Sequence, residues 1–143
     1  FLDHLLALIH LQRSQVYIAN VIKCRPPANR EPLPVEIQNC RNWLDSQVKA
    51  IHPKMIVTLG RYSMSGFFPD KAISKVHGTA QRQNGVIYFF MYHPAAALHQ
   101  QSLRQSIEAD MLKIPSCLAE VQQVQEIREV NQVNPQPRQL GLF

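Results

Sequence analysis

The sequence predicts an α/β fold, in which helices cover both faces of a central parallel sheet to make three layers. Apolar runs of strand length, such as MIVTLG and VIYFFM, alternate with segments whose apolar residues recur at helical spacing. A further apolar run, VYIANVI, could be a strand buried on both faces. The 143 residues, 45% hydrophobic and 17% charged, suit one domain with its own core.

The predicted elements follow in order along the chain. The segment FLDHLLALIHL has the apolar spacing of an amphipathic helix, and VYIANVI is β-rich and predicts the first strand. After a proline-rich loop, Pro34 suits the first turn of a helix that ends before Pro53. The later elements are the strand MIVTLG, the short helix RYSMSGFF, a polar connection with Gly78 and Gly85, the strand VIYFFM, a helix carrying Leu98, Leu103, Ile107 and Met111, and a last helix beyond Pro115.

Composition and the first residues narrow the protein class. No apolar run reaches membrane-spanning length, so an integral membrane protein is not predicted. FLDHLLALIHL has no basic n-region and no small-residue cleavage site, which makes it a poor signal peptide. We therefore expect a cytosolic protein. The chain begins with Phe1 rather than Met, and we expect that it has lost its natural start.

Two cysteines bracket a long loop. Between Cys24 and Cys40 lie fifteen residues with four prolines, and loops of this length are uncommon unless they are functional or pinned. Three cysteines in a cytosolic chain argue against a disulfide framework. Two thiols cannot complete a tetrahedral metal site or an iron-sulfur cluster. They are either buried thiols or half of a ligand set whose remainder lies elsewhere. Cys117 is expected to be a small apolar core residue.

Polar residues gather where the predicted strands end. They are Asn20, Lys23 and Cys24 after the first strand, Gly60 and Arg61 after the second, and Tyr92 and His93 after the third. Because ligands bind outside the carboxyl ends of parallel strands, we expect them to converge on one crevice. Each also has a structural interpretation: Asn20 could satisfy strand-end backbone groups, and His93 could simply begin the next helix. Fold alone supplies no function.

The combination of motifs resembles a known family. YIANVIKCRPPANREPLPVEIQNC, IVTLGR and YHPAAAL are together similar to the family 4 uracil-DNA glycosylases, over about residues 1–115. The joint occurrence of KCRPPxNR, a cysteine sixteen positions after the first, and HPAA is specific. The resemblance implies a uracil-DNA glycosylase-like fold and a monofunctional enzyme that hydrolyses the N-glycosidic bond of deoxyuridine in base excision repair.

The resemblance also implies a cofactor and an incomplete domain. In that family, residues matching Cys24 and Cys40 ligate a four-iron, four-sulfur (4Fe-4S) cluster together with two N-terminal cysteines that this chain lacks. The family's acidic Gly-Glu-Ala-Pro-Gly-like loop and its uracil-stacking Phe are absent as well. We therefore expect a glycosylase domain truncated at its N-terminus (1–115), then a C-terminal helix (116–130) and a tail (131–143).

Roles for individual residues follow from the resemblance. Asn20 is expected to read O4 and N3–H of uracil, because an amide both donates and accepts. His93 is expected to stabilise the charge on uracil O2. Lys23, Arg25, Arg30 and Arg61 are expected to contact phosphates, which suits the formal net charge of +5, and the turn with Ala97 and Leu98 is expected to enter the duplex as a wedge. Ala97 stands where many relatives carry leucine.

The last residues form a separate motif. Residues 131–138 are polar with two prolines and predict a linker. The following QLGLF resembles the peptide by which bacterial repair proteins bind the sliding clamp, with Gln139, Leu140, Leu142 and Phe143 as contacts. The alternative is a tail that folds back onto its own domain. The resemblance implies a bacterial or phage host, and we expect a monomer associated with the nucleoid through DNA.

Two other functions stay open at the level of sequence. One is a catalytically inactive iron-sulfur module that binds DNA, and the other is a zinc-stabilised interaction domain. An upstream Cys-x-x-Cys together with an acidic loop would favour the glycosylase.

Overall fold

The computed structural model describes residues 1–120. Its helices and strands are α1 (Leu2–Leu8), α2 (Pro34–Ile51), β1 (Met55–Leu59), α3 (Gly60–Ser65), α4 (Ile73–Val76), β2 (Ala80–Gln83), β3 (Val86–Met91), α5 (Ala96–His99) and α6 (Ser102–Met111). Residues 114–120 are again helical. The predicted tail, its clamp motif and most of the predicted last helix lie outside the described residues. In the described part, no helix is both long enough and apolar enough to cross a membrane.

The three described strands form one sheet in the order β1-β3-β2. β1 and β3 run parallel, from Met55 opposite Ile87 to Leu59 opposite Met91, as the sequence predicts. β2 runs antiparallel to β3. The predicted α/β class is therefore confirmed, although the sheet is mixed rather than purely parallel.

The hairpin between β2 and β3 explains the extra strand. Asn84 and Gly85 both have positive φ, 51° and 81°, as a two-residue hairpin turn of type I′ requires. An Asn-Gly pair before an apolar strand is a strong hairpin signal. The signal is present in the sequence, but the polar residues of β2 conceal the strand that precedes it.

The prediction of a first strand in residues 16–22 was wrong. This segment contains no strand, and its Tyr17 and Ile18 are 59% and 41% exposed. High β-propensity does not hold a strand without a neighbour to pair with. β1 lies at one edge of the described sheet, and it lines a large cavity together with residues 16–22 instead of pairing with them.

The core lies on both faces of β3. Phe89 packs in a cluster that joins β3 to α1 and α6, and its neighbour Phe90 packs with Met64 and Phe68 on the other side. Consecutive residues of a strand point to opposite faces, so β3 is covered by helices on both sides. By contrast, α2 has no buried residue. It begins as predicted, with Pro34 at its first position and Glu36 accepting from the N–H of Leu33 at 2.8 Å.

Candidate active site

The described residues surround a cavity of about 1360 Å³. Its walls come from α1, the coil before α2, α2 itself, β1 with the turn into α3, the end of β3, and the end of α6. The predicted site residues that line it are Asn20, Lys23, Cys24, Arg25, Arg61 and His93. Single ligand pockets usually measure about 300–1,000 Å³, so this cavity is large enough for an extruded nucleotide.

His93 is placed by two close contacts. It is the second residue after β3, and a Cβ added to Gly60 would lie 3.0 Å from the Cβ of His93. Gly60 also has a φ of +81°, so a glycine at the β1–α3 turn lets the two segments approach. The N–H of Ala95 donates to Nδ1 of His93 at 3.1 Å. The neutral ring therefore carries its proton on Nε2, which makes Nε2 a donor.

Asn20 offers an amide to the same cavity. Its backbone oxygen accepts a hydrogen bond from Nζ of Lys23 at 3.0 Å. Among the described residues, no hydrogen bond involves its side-chain amide, and the residue is exposed. The amide is therefore available to a ligand as both donor and acceptor.

All four cations predicted to contact DNA have partners within the protein. Arg30 binds both carboxylate oxygens of Glu36, at 2.9 and 2.6 Å. The guanidinium of Arg61 binds Glu31 and also the Tyr62 hydroxyl at 2.8 Å. Lys23 donates to Gln47 at 2.9 Å, and Arg25 donates to Asn29 at 2.7 Å. Exposed pairs of this kind contribute little to stability, so phosphates can compete for the same cations.

These pairs shift the pKa values of two acids. The hydrogen bond from Arg30, and then that from the N–H of Leu33, lowers the pKa of Glu36 to about 2. The pKa of Glu31 is also lowered, first by its hydrogen bond with the Tyr62 hydroxyl and then by Arg61. Glu31 thus ties the proline-rich loop to the beginning of α3. The sequence gives no local signal for this link, because Glu31 and Arg61 lie 30 residues apart.

Cys40 on α2 contacts the segment that carries Cys24. Cys24 is exposed, Cys40 is half-buried, and both are free thiols. The N–H of Lys23 donates to Sγ of Cys40 at 3.3 Å, which brings that sulfur beside the backbone that carries Cys24. Among the described residues, no group of three or more His, Cys, Asp or Glu side chains could hold a metal ion. In the described part of the chain, Cys24 and Cys40 can thus supply at most two thiolate ligands.

Two other predicted residues differ in exposure. Leu98 on α5 is 80% exposed, whereas Ala97 packs against the core. If this turn enters a duplex, Leu98 is the side chain that can do so. Cys117 also packs against the core, and burial raises the pKa of its thiol, in keeping with an unreactive structural cysteine.

No carboxylate occurs among the described residues that line the cavity. The cavity therefore has an amide, an imidazole donor and cations, but no described group able to act as a carboxylate base. Such an arrangement can bind a planar heterocycle and stabilise negative charge that develops on it.

Comparison with known proteins finds a matching family model and several similar proteins. The family model described as the uracil DNA glycosylase superfamily matches residues 1–114. A type-4 uracil-DNA glycosylase of Sulfurisphaera tokodaii is 44% identical over 116 residues, which are 75% of this chain and 53% of the relative. A type-4 uracil-DNA glycosylase of Archaeoglobus fulgidus is 39% identical over 122 residues, 79% of this chain and 61% of the relative.

A third relative is a much longer protein. The DNA polymerase of Bacillus phage SP01 is 29% identical over 103 residues, which are 72% of this chain but only 11% of the polymerase. By comparison, the chain spans 53% and 61% of the lengths of the two type-4 relatives.

Proposed function

The chain belongs to the uracil DNA glycosylase superfamily, and on that premise we propose that it hydrolyses the N-glycosidic bond of deoxyuridine in DNA and so initiates base excision repair. The observation that carries the proposal is the meeting of an available amide, Asn20, with an imidazole donor, His93, on one cavity. Their roles were predicted from a resemblance, and the placement of both residues on that cavity supports these roles.

Recognition of the base is assigned to Asn20. A glycosylase must extrude the nucleotide from the duplex and read the Watson-Crick edge of its base in a pocket. The amide N–H of Asn20 can donate to uracil O4, while the amide oxygen accepts from N3–H. Cytosine presents the opposite pattern of donor and acceptor at these positions, so the same amide discriminates against it.

Stabilisation of the leaving group is assigned to His93. As the glycosidic bond breaks, negative charge develops on uracil O2, and a preorganised donor there lowers the barrier. The Ala95 N–H already occupies Nδ1, so the Nε2 proton is fixed before substrate arrives. Among the described residues that line the cavity, Lys23 is the only lysine. Its ammonium group donates to the backbone oxygen of Asn20 and to the side chain of Gln47. We therefore assign a hydrolytic reaction without a lysine-bound intermediate.

The second candidate is a DNA-binding module without catalysis. It is favoured by the absence of a carboxylate from the described lining of the cavity, since hydrolysis is helped by an acid that positions the attacking water. Such a module would bind uracil-containing DNA through the same amide and cations and would release no uracil.

The proposed cofactor is a 4Fe-4S cluster to which Cys24 and Cys40 supply two thiolates. The N–H of Lys23 directed at Sγ of Cys40 suits a thiolate, because a charged sulfur gains from a backbone donor. The cluster would have a structural role, holding the proline-rich loop to α2. Two further ligands are required beyond the two that the described residues offer.

The proposed partners are uracil-containing DNA and a bacterial sliding clamp. The clamp assignment rests on Gln139, Leu140, Leu142 and Phe143, which lie outside the described residues. The similarity to a segment of a phage DNA polymerase is consistent with a protein that acts beside a replication complex. We also propose that the protein is a monomer and that it associates with the nucleoid by binding DNA.

The experiment that tests the function measures release of free uracil from an oligonucleotide with one deoxyuridine, under single-turnover conditions. A matched oligonucleotide with deoxycytidine is the control. Release of uracil and no release of cytosine supports a glycosylase. If no uracil is released, specific retention of the deoxyuridine oligonucleotide would favour the binding module. Equal retention of both oligonucleotides without release would exclude both assignments.

A further inference from the structure

A buried carboxylate lies on α6, outside the lining of the cavity. Asp110 on α6 is 3% exposed, and it is the only buried charged residue in the described part of the chain. Its Oδ2 lies 2.6 Å from Nδ1 of His77, and its Oδ1 lies 2.8 Å from Nζ of Lys113. Burying a carboxylate costs free energy even when it is paired, and an apolar residue of similar size often serves stability as well. A role in positioning would explain its presence.

The hydrogen bond from His77 fixes the state of that ring. Nδ1 must carry a proton to donate to the carboxylate, and this bond sets the orientation of the imidazole. The backbone of the same segment is held to β3, because the N–H of Gly78 donates to the oxygen of Phe90 at 2.7 Å. His77 is therefore held from both its side chain and its backbone.

The fixed ring of His77 packs against Tyr92. The two ring centroids are 4.5 Å apart with an angle of 36° between the planes. Tyr92 is the first residue after β3 and directly precedes His93. His93 itself closely approaches Gly60. The path of the chain into His93 is thus limited by the packed ring of Tyr92 and by the β1–α3 turn.

We propose that Asp110 and His77 are positioning residues that hold His93 in its place through the ring of Tyr92. This inference rests on the proposed role of His93 as the donor to the departing base. Neither Asp110 nor His77 lines the cavity, so neither is expected to touch substrate. Their effect is on the alignment of His93, where displacements of about 1 Å can cost roughly a hundredfold in rate.

The test is a double-mutant cycle with Asp110→Asn and His93→Ala, read by single-turnover release of uracil. We expect Asp110→Asn alone to slow release by roughly tenfold with unchanged affinity for the oligonucleotide. In the His93→Ala background the same change should have no further effect, since the group that it aligns is gone. An equal loss in both backgrounds would show a general structural effect and overturn the proposal.

Two further variants separate ring packing from the hydrogen bond. His77→Phe keeps a ring against Tyr92 and should retain more activity than His77→Ala. The control for Asp110→Asn is Glu108→Gln, which makes the same change from carboxylate to amide on the same helix. Glu108 pairs with His4 and Arg104, and its substitution should leave the rate unchanged. If His77→Phe and His77→Ala lose the same activity, the ring contact does not carry the effect.

A second readout does not depend on catalysis. The ring nitrogens of His93 can be observed by nitrogen-15 NMR of the whole chain, and the wild type should show the single tautomer with its proton on Nε2. Asp110→Asn should shift or broaden these signals, and Glu108→Gln should not. If the wild type releases no uracil, the proposed function fails, while this measurement still decides whether Asp110 positions His93. Unchanged His93 signals in Asp110→Asn would overturn the inference.

Discussion

The backbone N–H of Ala95 donates to Nδ1 of His93 across 3.1 Å, so the tautomer of the candidate catalytic ring is set within its own turn. Pro94 between them has no N–H and a fixed φ, which makes Ala95 the first residue after His93 that can donate a backbone proton. A His-Pro-Ala sequence therefore encodes both the ring and the group that orients it. This local construction explains why a short motif can indicate chemistry.

The role of Asn20 predicts a loss of discrimination in Asn20→Asp. A carboxylate keeps an acceptor for N3–H of uracil but loses the N–H that binds O4. We expect slower uracil release and a smaller ratio between the deoxyuridine and deoxycytidine oligonucleotides in a single-turnover assay. Asn42→Asp, an exposed change on α2 away from the cavity, is the matched control. Equal ratios in the two variants would remove Asn20 from the recognition site.

The pair of Arg30 and Glu36 predicts a pH dependence at the start of α2. Glu36 has a pKa of about 2 in the folded chain, against 4.5 for an ordinary glutamate. A lowered pKa means that the pair stabilises the folded state above about pH 4.5 and that this contribution is lost as the pH falls through 2. Carbon-13 NMR of the Glu36 carboxyl should show the low pKa, and Arg30→Met should raise it. Arg13→Met removes an exposed pair elsewhere and should not. A wild-type Glu36 that titrates near 4.5 would refute the assignment.

The cysteine assignment predicts a brown, iron-containing protein. When the gene product that contains this chain is purified without oxygen, iron and sulfide should be present, and Cys24→Ala or Cys40→Ala should lose the colour and part of the stability. Cys117→Ala is the control and should keep the cluster, since Cys117 packs against the core. A colourless, fully folded wild type with stoichiometric zinc would instead support a zinc-stabilised domain.

The tail predicts binding to a sliding clamp. A peptide of residues 134–143 should bind a purified bacterial clamp, because Leu140, Leu142 and Phe143 can fill an apolar groove while Gln139 bonds at its edge. Isothermal titration of the peptide with Leu142→Ala and Phe143→Ala should show a large loss of affinity. The tail is not a clamp tether if both peptides bind equally.

Local patterns in the sequence were sufficient for some elements and not for others. The strands β1 and β3 and the Pro34 start of α2 follow from patterns a few residues long, and the structure confirms them. Strand β2 is polar except for Ala80, and only the Asn84-Gly85 turn reveals it. Residues 16–22 were predicted wrongly because a strand depends on a neighbour that propensity cannot supply.

Contacts between distant residues were beyond prediction. Asp110 and His77 lie 33 residues apart, and neither carries a motif of its own. The same holds for Glu31 and Arg61, which lie 30 residues apart and pair in the structure. The predicted site residues that line the cavity are Asn20, Lys23, Cys24, Arg25, Arg61 and His93, whereas Arg30, Cys40, Ala97 and Leu98 do not line it. The hydrogen bonds that these residues make could be found only in the structure.

The most direct test of a glycosylase that acts through His93 is the single-turnover rate of uracil release by wild type and by His93→Ala, with His99→Ala as the matched histidine control on α5. Removal of a transition-state donor usually costs about two to three orders of magnitude in rate, and we expect a loss of that size for His93→Ala and none for His99→Ala. Equal rates in the wild type and His93→Ala would show that His93 does not stabilise the departing uracil, and the proposed mechanism would be wrong.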